Sequence, residues 1–577
     1  MSDLDSRQRV SSENHVRLAR ATSSMLWAAW ADALGFISEI TDERGLRART
    51  KGRELSETME WTRRVGGKFG VQAQLPAGCY SDDTQLRLAT SRAISNDGFD
   101  VEAFAKIELT VWPSYALGGG RASKAAASSM AKSSSSWFTN FYQSWTESGG
   151  NGAAMRIQPH VYASAHLESR EFVRDVIRNS VTTHGHPRAL VGAVFHALTL
   201  GFSLSRGKTP SPRDWIRLIS DTHASFELFR ADIELDSYWR PRWEAEAGMN
   251  FEDAWHVAVE ECNAMLVASE EFVEIFQSLK QGDRSAQDRA YSELGGRLGL
   301  SDPSTRGSGT ATVVAATVLA ASLPTDPYSA STIAARAVGT DTDTIATMAA
   351  ALIGAATGLD APSGIQDLDY LRNEANRLTL IAIGIGAPKF SYPDILKWVP
   401  PTSQLDVVGL VDGQPSIAGL GRLAFTSPPN SVKEATWQWA TTSFGPTVLI
   451  KHRQDLPELP AGNWPRLRAR VEERDQREST RTSTDQERVR PRQPVLFEEE
   501  DDGRSSRRSS NSGRSVRPKK ADDAPLDVDK LLAWVQTRGY EDDAIGEAVR
   551  RIASEGTLEQ MAVFIGAIRP QLRVRGR

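Results

Sequence analysis

The chain has 577 residues, of which 40% are hydrophobic and 24% are charged, and its net charge is -5. These values are ordinary for globular proteins, so they exclude a collagen-like chain, a wholly disordered chain and a global positive field for nucleic acid or anionic membranes. The 2 cysteines are too few for a disulfide framework or a cysteine zinc site, and they are typical of a reducing, cytoplasmic compartment.

Residues 14–384 are predicted to be helical. Apolar residues recur there at helical spacing in segments rich in alanine and glycine, and small residues let helices pack closely. The sequence therefore predicts a mainly α fold with a compact helical core. We expect no signal peptide at 1–14, which lacks an apolar run, and no membrane contact, because the longest apolar runs fall short of the ~20 residues that cross a bilayer. The clearest helical segments lie at 16–34, 84–94, 101–111, 188–204, 254–267, 310–323 and 342–356.

The pattern changes after residue 385. Short runs with β-branched or aromatic residues alternate with Gly and Pro breaks, which predicts a small strand-rich appendage at 385–464. Residues 465–525 contain many Arg, Glu, Asp, Ser and Pro and few apolar residues, which predicts a disordered charged linker. Helical periodicity returns at 526–577, where we expect a short helical module that docks a protein partner.

Two acidic motifs each stand at the start of a helical run: Ser-Asp-Asp-Thr at 81–84 and Gly-Thr-Asp-Thr-Asp-Thr at 339–344. Carboxylate and hydroxyl oxygens are the ligands that Mg²⁺, Mn²⁺ and Ca²⁺ prefer. Acids and hydroxyls at a helix start also serve as caps, so each motif alone favours capping. Asp341 and Asp343 can converge on one ion only if Asp341 precedes the helix or the turn is irregular, because residues i and i+2 of a helix point apart.

Three further motifs carry polar groups of interest. The Ser-Gly-Gly-Asn-Gly loop at 148–152 precedes a helical run and is either a phosphate cradle or a flexible turn. His184 and His186 match no zinc pattern, so His184 is interpreted as a hydrogen-bonding contact to a ligand. Asp32 lies in an apolar helical run and is therefore paired or functional, and Glu39 follows in a loop that can reach a site.

In this order along the chain, the five motifs resemble those of the ADP-ribosylglycohydrolase family, which includes dinitrogenase reductase-activating glycohydrolase and the ADP-ribosylarginine and ADP-ribosylserine hydrolases. The resemblance covers about residues 14–380 and implies an all-α orthogonal bundle with two Mg²⁺ or Mn²⁺ ions. Two departures, Ala31 and Thr340 where the family usually has glycine, remove no ligand. The implied metal ligands are Ser81, Asp82, Asp83, Asp341, Asp343 and Thr344. The implied substrate contacts are Ser148, Gly150, Asn151, Gly152 and His184, with Thr183 beside them.

The resemblance implies a metal-dependent hydrolase that cleaves the glycosidic bond between ADP-ribose and a modified protein or other target. Such a reaction builds oxocarbenium-like charge, and the candidate catalytic carboxylates are Glu39, Asp82, Asp83 and Asp343. Two alternatives stay open: a sensor that binds ADP-ribose or a nucleotide without hydrolysis, and a protein in which the acidic pairs are only helix caps. The Trp-Arg-Pro-Arg-Trp segment at 239–243 is either a single-strand nucleic-acid contact or a packed loop.

Overall fold

The computed structural model describes residues 3–280, 282–464 and 526–575. Helices predominate up to residue 382, strands predominate at 408–453, and helices return after 528. This order confirms the predicted fold class, a mainly α bundle with a small strand-rich appendage and a short helical module. The proposed linker at 465–525 lies outside the described residues, and the boundaries between the four predicted regions stay predictions.

The predicted helical segments are present, and further helices fill the part of the bundle between them. A π turn at Phe104–Glu108 joins α4 to α5, and another at Leu235–Trp239 precedes α12. In chain order the helices are α1 (Asp3–Gly35), α2 (Glu43–Arg49), α3 (Asp82–Arg92), α4 (Val101–Ala103), α5 (Leu109–Val111), α6 (Arg121–Met130), α7 (Gln158–Ala163), α8 (Phe172–Val181), α9 (Pro187–Arg206), α10 (Pro212–Ala224), α11 (Phe226–Arg230), α12 (Arg240–Ala247), α13 (Phe251–Ser278), α14 (Arg284–Leu298), α15 (Gly309–Ser322), α16 (Pro327–Arg336), α17 (Thr342–Thr357) and α18 (Leu368–Ala382).

The end of α1 and the start of α17 touch at the centre of the bundle. A Cβ atom on Gly35 would lie 2.5 Å from the Cα atom of Asp343, so only glycine permits this approach. The Thr342 hydroxyl donates a hydrogen bond to the Gly35 carbonyl at 2.9 Å. This contact places the second acidic motif beside the loop that carries Glu39.

Two apolar helices lie deep in the bundle. All residues of α15 are buried, and α17 is buried over nearly its whole length. Among the described residues, α9 is the one helix long and apolar enough to cross a membrane, yet 83% of its apolar window is buried inside the protein. Such burial is typical of the core helix of a globular domain.

The prediction of helix throughout 14–384 was wrong for two short hairpins. Strands β1 (Trp61–Val65) and β2 (Val71–Leu75) pair antiparallel with Trp61 opposite Leu75, and β3 (Ile94–Ser95) pairs with β4 (Gly98–Phe99). The β2 residues alternate between buried and exposed, as a period of two requires. The two glycines at 66–67 both have positive φ and form the turn of the first hairpin.

The appendage forms one antiparallel sheet with the strand order β10-β9-β7-β6-β5, and β8 pairs with the other end of β9. It packs against the first hairpin of the bundle: Trp439 Nε1 donates to the Gln74 carbonyl at 3.1 Å, and Asn430 Nδ2 donates to the Gln72 carbonyl at 3.0 Å. The strands are β5 (Val408–Val411), β6 (Gln414–Ile417), β7 (Gly421–Phe425), β8 (Asn430–Val432), β9 (Ala435–Thr442) and β10 (Thr447–Arg453).

A buried ion pair joins the bundle to the residues that lead into this sheet. The Arg92 guanidinium donates two hydrogen bonds to the Glu108 carboxylate, at 2.7 and 2.8 Å. The Tyr392 hydroxyl donates to the same carboxylate at 2.7 Å, and the Phe444 ring lies 5.2 Å from the guanidinium carbon. The two charged groups belong to the bundle, and Tyr392 and Phe444 contact them from the chain beyond it. The appendage is therefore packed on the bundle through specific contacts to a buried ion pair.

The C-terminal module has three helices, α19 (Val528–Thr537), α20 (Asp542–Glu555) and α21 (Leu558–Arg575). It also contacts the bundle: the Ser134 amide donates to Asp529 Oδ1 at 3.0 Å, and Arg569 forms an ion pair with Glu234. The described part of the chain up to residue 464 and the residues from 528 onward therefore form one compact unit.

The segment 239–243 lies inside the bundle. Trp239 and Trp243 are 1% and 2% exposed, so their rings are not free to stack on bases. Arg240 pairs with Asp236 at 2.9 Å, as expected for the solvated face of a helix. This placement favours the packed-loop interpretation over nucleic-acid binding.

Candidate active site

One cleft of about 780 Å³ brings together residues from all five motifs, the fifth through Glu39. The predicted residues that line it are Glu39, Asp82, Asp83, Ser148, Gly150, Asn151, Gly152, His184, Asp341, Asp343 and Thr344. Ser81 is the exception, because its buried hydroxyl faces the backbone of its own helix. The four aspartates at 82, 83, 341 and 343 are called the acidic wall below, and residues 148–152 with His184 are called the glycine wall.

The first acidic turn is held from α1 by Asp32. Ser81 caps α3 by accepting a hydrogen bond from the Asp83 amide at 3.2 Å. Asp32 Oδ1 accepts from the Ser81 amide at 2.9 Å, and Oδ2 accepts from the amide and hydroxyl of Thr84 at 2.9 and 2.6 Å. Arg87 donates to the Thr84 hydroxyl at 2.8 Å. Asp32 is therefore a paired residue that positions the turn, which is one of the two roles its sequence context indicated.

The second acidic turn meets one condition for a shared site, the position of Asp341 before the helix. Asp341 is the N-cap of α17, with non-helical backbone angles of φ -89° and ψ 84°, so it precedes the helix. Its Oδ2 atom accepts a hydrogen bond from Asn151 Nδ2 at 2.8 Å, which ties the acidic wall to the glycine wall. Asp343 lies in the first turn and accepts from the Thr344 amide at 3.0 Å.

Glu39 lies in the loop after α1, at the rim of the cleft. Its Oε2 atom is 2.9 Å from Arg63 Nη1, and the Arg63 guanidinium lies over the Phe36 ring at 4.5 Å. Arg49 donates to the Glu39 carbonyl at 2.8 Å. The next residue, Ile40, is 74% exposed and has a φ of 47°, which is strained for a β-branched residue.

Backbone contacts fix the glycine wall. The Asn151 amide donates to the Gly307 carbonyl at 2.9 Å, and the Gly309 amide donates to the Gly149 carbonyl at 2.9 Å. Ser148 Oγ lies 2.9 Å from the Tyr142 hydroxyl. These contacts favour an ordered loop over a flexible turn, because both sides of the loop are hydrogen-bonded to neighbouring segments.

His184 faces the same loop as a neutral ring. Burial first, and then the charge of Arg156, lowers its pKa to about 3. Arg156 donates to the Thr183 hydroxyl at 2.8 Å, which lies 2.8 Å from His184 Nδ1. Because the Thr183 hydroxyl accepts from Arg156, its own proton can be donated to His184 Nδ1. This arrangement favours the tautomer with the proton on Nε2, so the ring presents a donor to the cleft. His186 instead caps α9 by accepting from the Arg188 amide at 3.1 Å.

The family model of the ADP-ribosylglycohydrolases matches residues 13–382. This chain belongs to the ADP-ribosylglycohydrolase family. The name of this family describes hydrolases of ADP-ribosyl linkages. The match confirms the resemblance and the fold class predicted from the sequence. A solved structure named "ADP-ribosylglycohydrolase-related protein complex" is 20% identical, with a TM-score of 0.38, and the similarity covers 63% of this chain and 99% of that chain. Among curated proteins, none matches.

Burial and mutual repulsion act on the acidic wall of this family member. Burial first, and then the charges of Glu39 and Asp32, raise the pKa of Asp82 to about 7. The pKa values of Asp83 and Asp343 lie well above the ordinary value, first because of burial and then because of neighbouring carboxylates. Burial also raises the pKa of Glu39, against the opposing charge of Arg63. Several ionised carboxylates so close together repel one another unless cations bind between them.

The donors of the acidic wall fit hard divalent cations by chemistry. Asp83 Oδ2 is buried and has no hydrogen-bond partner among the described residues, so it is available as a ligand. Within residues 3–280, 282–464 and 526–575, however, no three Asp, Glu, His or Cys side chains are grouped closely enough for a preformed metal cluster. Shared coordination would therefore require some of these side chains to turn.

Sequence reasoning missed several segments of the cleft, two of which carry positive charge. Residues 118–124 precede and begin α6, and residues 306–308 lie before α15. Both contain glycine next to arginine ahead of a helix, and that pattern was the available signal. Arg121, Lys124 and Arg306 add positive charge to the lining of the cleft.

Proposed function

We propose that this protein is a metal-dependent hydrolase that cleaves the glycosidic bond between ADP-ribose and a modified target and releases ADP-ribose. One observation carries the proposal: four carboxylates from two helix starts, three of them buried and that of Asp341 half-buried, share a cleft with an ordered glycine loop. The target class that fits is an ADP-ribosylated protein or another ADP-ribosylated molecule.

We infer that the cofactor is a pair of Mg²⁺ or Mn²⁺ ions, held by residues of the acidic wall together with Thr344. When bound, such ions stabilise negative charge on ribose hydroxyls and lower the pKa of water. Ser81 supports this set indirectly, because its hydroxyl caps the helix that presents Asp82 and Asp83.

The protein's own residues have distinct parts in this proposal. Backbone N–H groups of the glycine wall and the Nε2 proton of His184 bind the diphosphate and fix the sugar over the acidic wall. The carboxylates stabilise the oxocarbenium-like charge that develops on the ribose. Glu39 is our candidate for the general acid, because it lies at the rim of the cleft. Its raised pKa favours the protonated carboxyl, which can donate a proton to the leaving group.

The second candidate function is a sensor that binds ADP-ribose without hydrolysing it. Two observations favour it: Glu39 forms an ion pair with Arg63, and the described residues contain no preformed metal cluster. Calorimetry with ADP-ribose beside a turnover assay separates the two functions, since binding without product supports the sensor.

Two further proposals concern the setting of the protein. We propose a cytoplasmic location, which is supported by a buried, unpaired state of Cys79 and Cys262. We also propose that the C-terminal module contacts a protein partner, which is supported by its position outside the family match.

The test of the hydrolase uses the full chain with Mg²⁺ or Mn²⁺ and peptides ADP-ribosylated on arginine or serine. Released ADP-ribose is measured by chromatography. The double variant Asp82→Asn with Asp343→Asn should lose more than about 100-fold in rate, because outer contacts of metal sites alone contribute ~10–100-fold. The control Asp369→Asn changes a carboxylate that is 91% exposed and should keep the wild-type rate. A double variant with the wild-type rate would refute the site assignment.

A further inference from the structure

We propose that the C-terminal module regulates ligand binding in the cleft, because its docking on the bundle holds the chain segment that positions the glycine wall. This segment, residues 134–142, follows α6 and precedes the glycine loop, and it is called the connecting segment below. The proposal rests on the proposed function only in taking ADP-ribose as the ligand of the cleft. A protein partner that binds the module in place of the bundle would weaken ligand binding.

The module contacts the first half of the connecting segment directly. Asp529 Oδ1 of α19 accepts a hydrogen bond from the Ser134 amide at 3.0 Å. On α21, a Cβ atom built on Gly566 would lie 3.1 Å from Phe138 Cζ and 3.3 Å from Ser136 Oγ, so the helix backbone lies directly against these two side chains. Both side chains are buried. Two helices of the module therefore cover this half of the segment.

The second half of the connecting segment holds the glycine wall. Asn140 Nδ2 donates a hydrogen bond to the Thr182 carbonyl at 2.9 Å. The Tyr142 hydroxyl donates to the Thr183 carbonyl at 2.5 Å and lies 2.9 Å from Ser148 Oγ. Both carbonyls belong to the turn that presents the histidine of the glycine wall. The segment itself contains no helix or strand, so its position depends on these side-chain contacts and on the module.

A second set of contacts connects the module to the glycine wall through the π turn that ends at Trp239. Arg569 of α21 forms an ion pair with Glu234, just before this turn, whose side chain is only 8% exposed. The Trp239 ring lies 5.2 Å from the Trp145 ring. Trp145 packs on Gly185, where an added Cβ atom would lie 2.5 Å from the indole. Since a buried carboxylate needs its partner, docking depends on this specific ion pair.

The interface between module and bundle is closely packed only in part. A cavity of about 70 Å³ remains there, and it is lined by Trp398 of the appendage, whose indole Nε1 has no hydrogen-bond partner among the described residues. The core of one domain leaves few voids larger than a water molecule, whereas contacts between domains resemble transient interfaces. Such an interface can open while the bundle stays folded, which is the property that a regulatory element requires.

The test compares two substitutions of glycine by leucine within the module, in the full chain. Gly566→Leu places a side chain where Phe138 lies and should push α21 off the bundle, whereas a Cβ atom on Gly546 of α20 meets nothing within 4 Å, so Gly546→Leu is the matched control. Leucine favours a helix more than glycine does, so neither change weakens its own helix. Arg569→Glu, which sets a negative charge against Glu234, releases the module independently.

Hydrogen exchange measures docking at α21 and the order of the glycine wall at residues 139–152, and calorimetry with Mg²⁺ gives the Kd for ADP-ribose. Gly566→Leu and Arg569→Glu should speed exchange in both regions and raise the Kd at least about fivefold, the lower range of allosteric coupling. Gly546→Leu, and Arg550→Glu at an exposed position of α20, should keep wild-type values. By linkage, saturating ADP-ribose should slow exchange of α21 in the wild type by a similar factor.

Four outcomes would overturn the regulatory proposal. The first is an α21 that stays protected in both release variants, and the second is a loss of protection in α15 together with α21, because in either case the module would not be a separable element. The third is a released α21 with unchanged exchange at 139–152. The fourth is a Kd that rises no more than in the controls although the wild type binds ADP-ribose.

The proposed function is judged separately from the regulatory proposal. If the wild-type chain binds no ADP-ribose, the proposed function fails, and the exchange at residues 139–152 alone decides whether the module holds the glycine wall. If ADP-ribose binds and is released from peptides while the exchange at 139–152 ignores the module, the proposed function stands and the regulatory proposal fails.

Discussion

The acidic wall of the cleft is built from side chains, whereas the glycine wall is built mainly from backbone. Each wall begins at a helix start, but the acidic wall buries charge and needs Asp32 and Arg87 behind it. The loop of the glycine wall is held mainly by close backbone contacts with residues 307–309. Burying the carboxylates of the acidic wall therefore lowers the stability of the fold, and this wall should respond to changes in charge. The glycine wall should respond to changes in side-chain volume.

The largest expected effect separates function from stability on the acidic wall. Asp83→Asn removes a buried negative charge whose Oδ2 atom has no partner among the described residues. Hydrolysis should fall more than about 100-fold, as for lost metal-site contacts. The cation-free protein should become more stable, because the raised pKa of Asp83 shows that its ionised form is disfavoured in the fold. Rates and thermal unfolding in EDTA check both, and a loss of stability would contradict the cost assigned to this wall.

The next effect tests the support behind the acidic wall. Asp32→Ala leaves two buried amides and one hydroxyl without their acceptor, so the free energy of unfolding should fall by about 3 kcal/mol. Urea unfolding measures the change. Asp369→Ala, at an exposed ion pair with Arg372, should stay within about 0.5 kcal/mol of the wild type. Equal effects at both positions would show that Asp32 does not hold the turn.

The two walls also differ in how far the sequence predicted them. The acidic and glycine motifs were recognisable because each is a short local pattern at a helix start. The position of Asp341 before α17 is a local property too, and the structure agrees with it. In contrast, Ser123 and Gly307 reach the cleft through the packing of distant helices, which no local pattern encodes. The hairpin at 61–75 was missed although β2 alternates in polarity, because the helical pattern on either side dominated the interpretation.

The glycine wall should respond to volume rather than charge. A Cβ atom on Gly152 would lie 3.0 Å from His184 Cε1, so Gly152→Ala overpacks the wall and should lower the free energy of unfolding by about 1–3 kcal/mol. A Cβ atom on Gly150 would meet nothing closer than the Gly307 carbonyl at 3.6 Å, which is an ordinary contact. Gly150→Ala is therefore the matched control and should unfold like the wild type. Similar losses in both variants would mean that the backbone, not the His184 contact, limits this loop.

The smallest effect links pH and cations on the acidic wall. The pKa of Asp82 is raised to about 7 in the fold, above the ~3.9 of an unfolded chain, so the folded state holds more protons between these values. The contribution of Asp82 to stability is therefore full below pH ~3.9 and declines as the pH rises toward 7. A bound cation opposes this decline, because it replaces the proton that the carboxylate gives up. Adding Mg²⁺ should raise the Tm by a few degrees at pH 7.5 and by less at pH 5.5, as measured by calorimetry in matched ionic strength. An equal rise at both values, or the same rise in the Asp82→Asn and Asp343→Asn double variant, would place the cation away from the acidic wall.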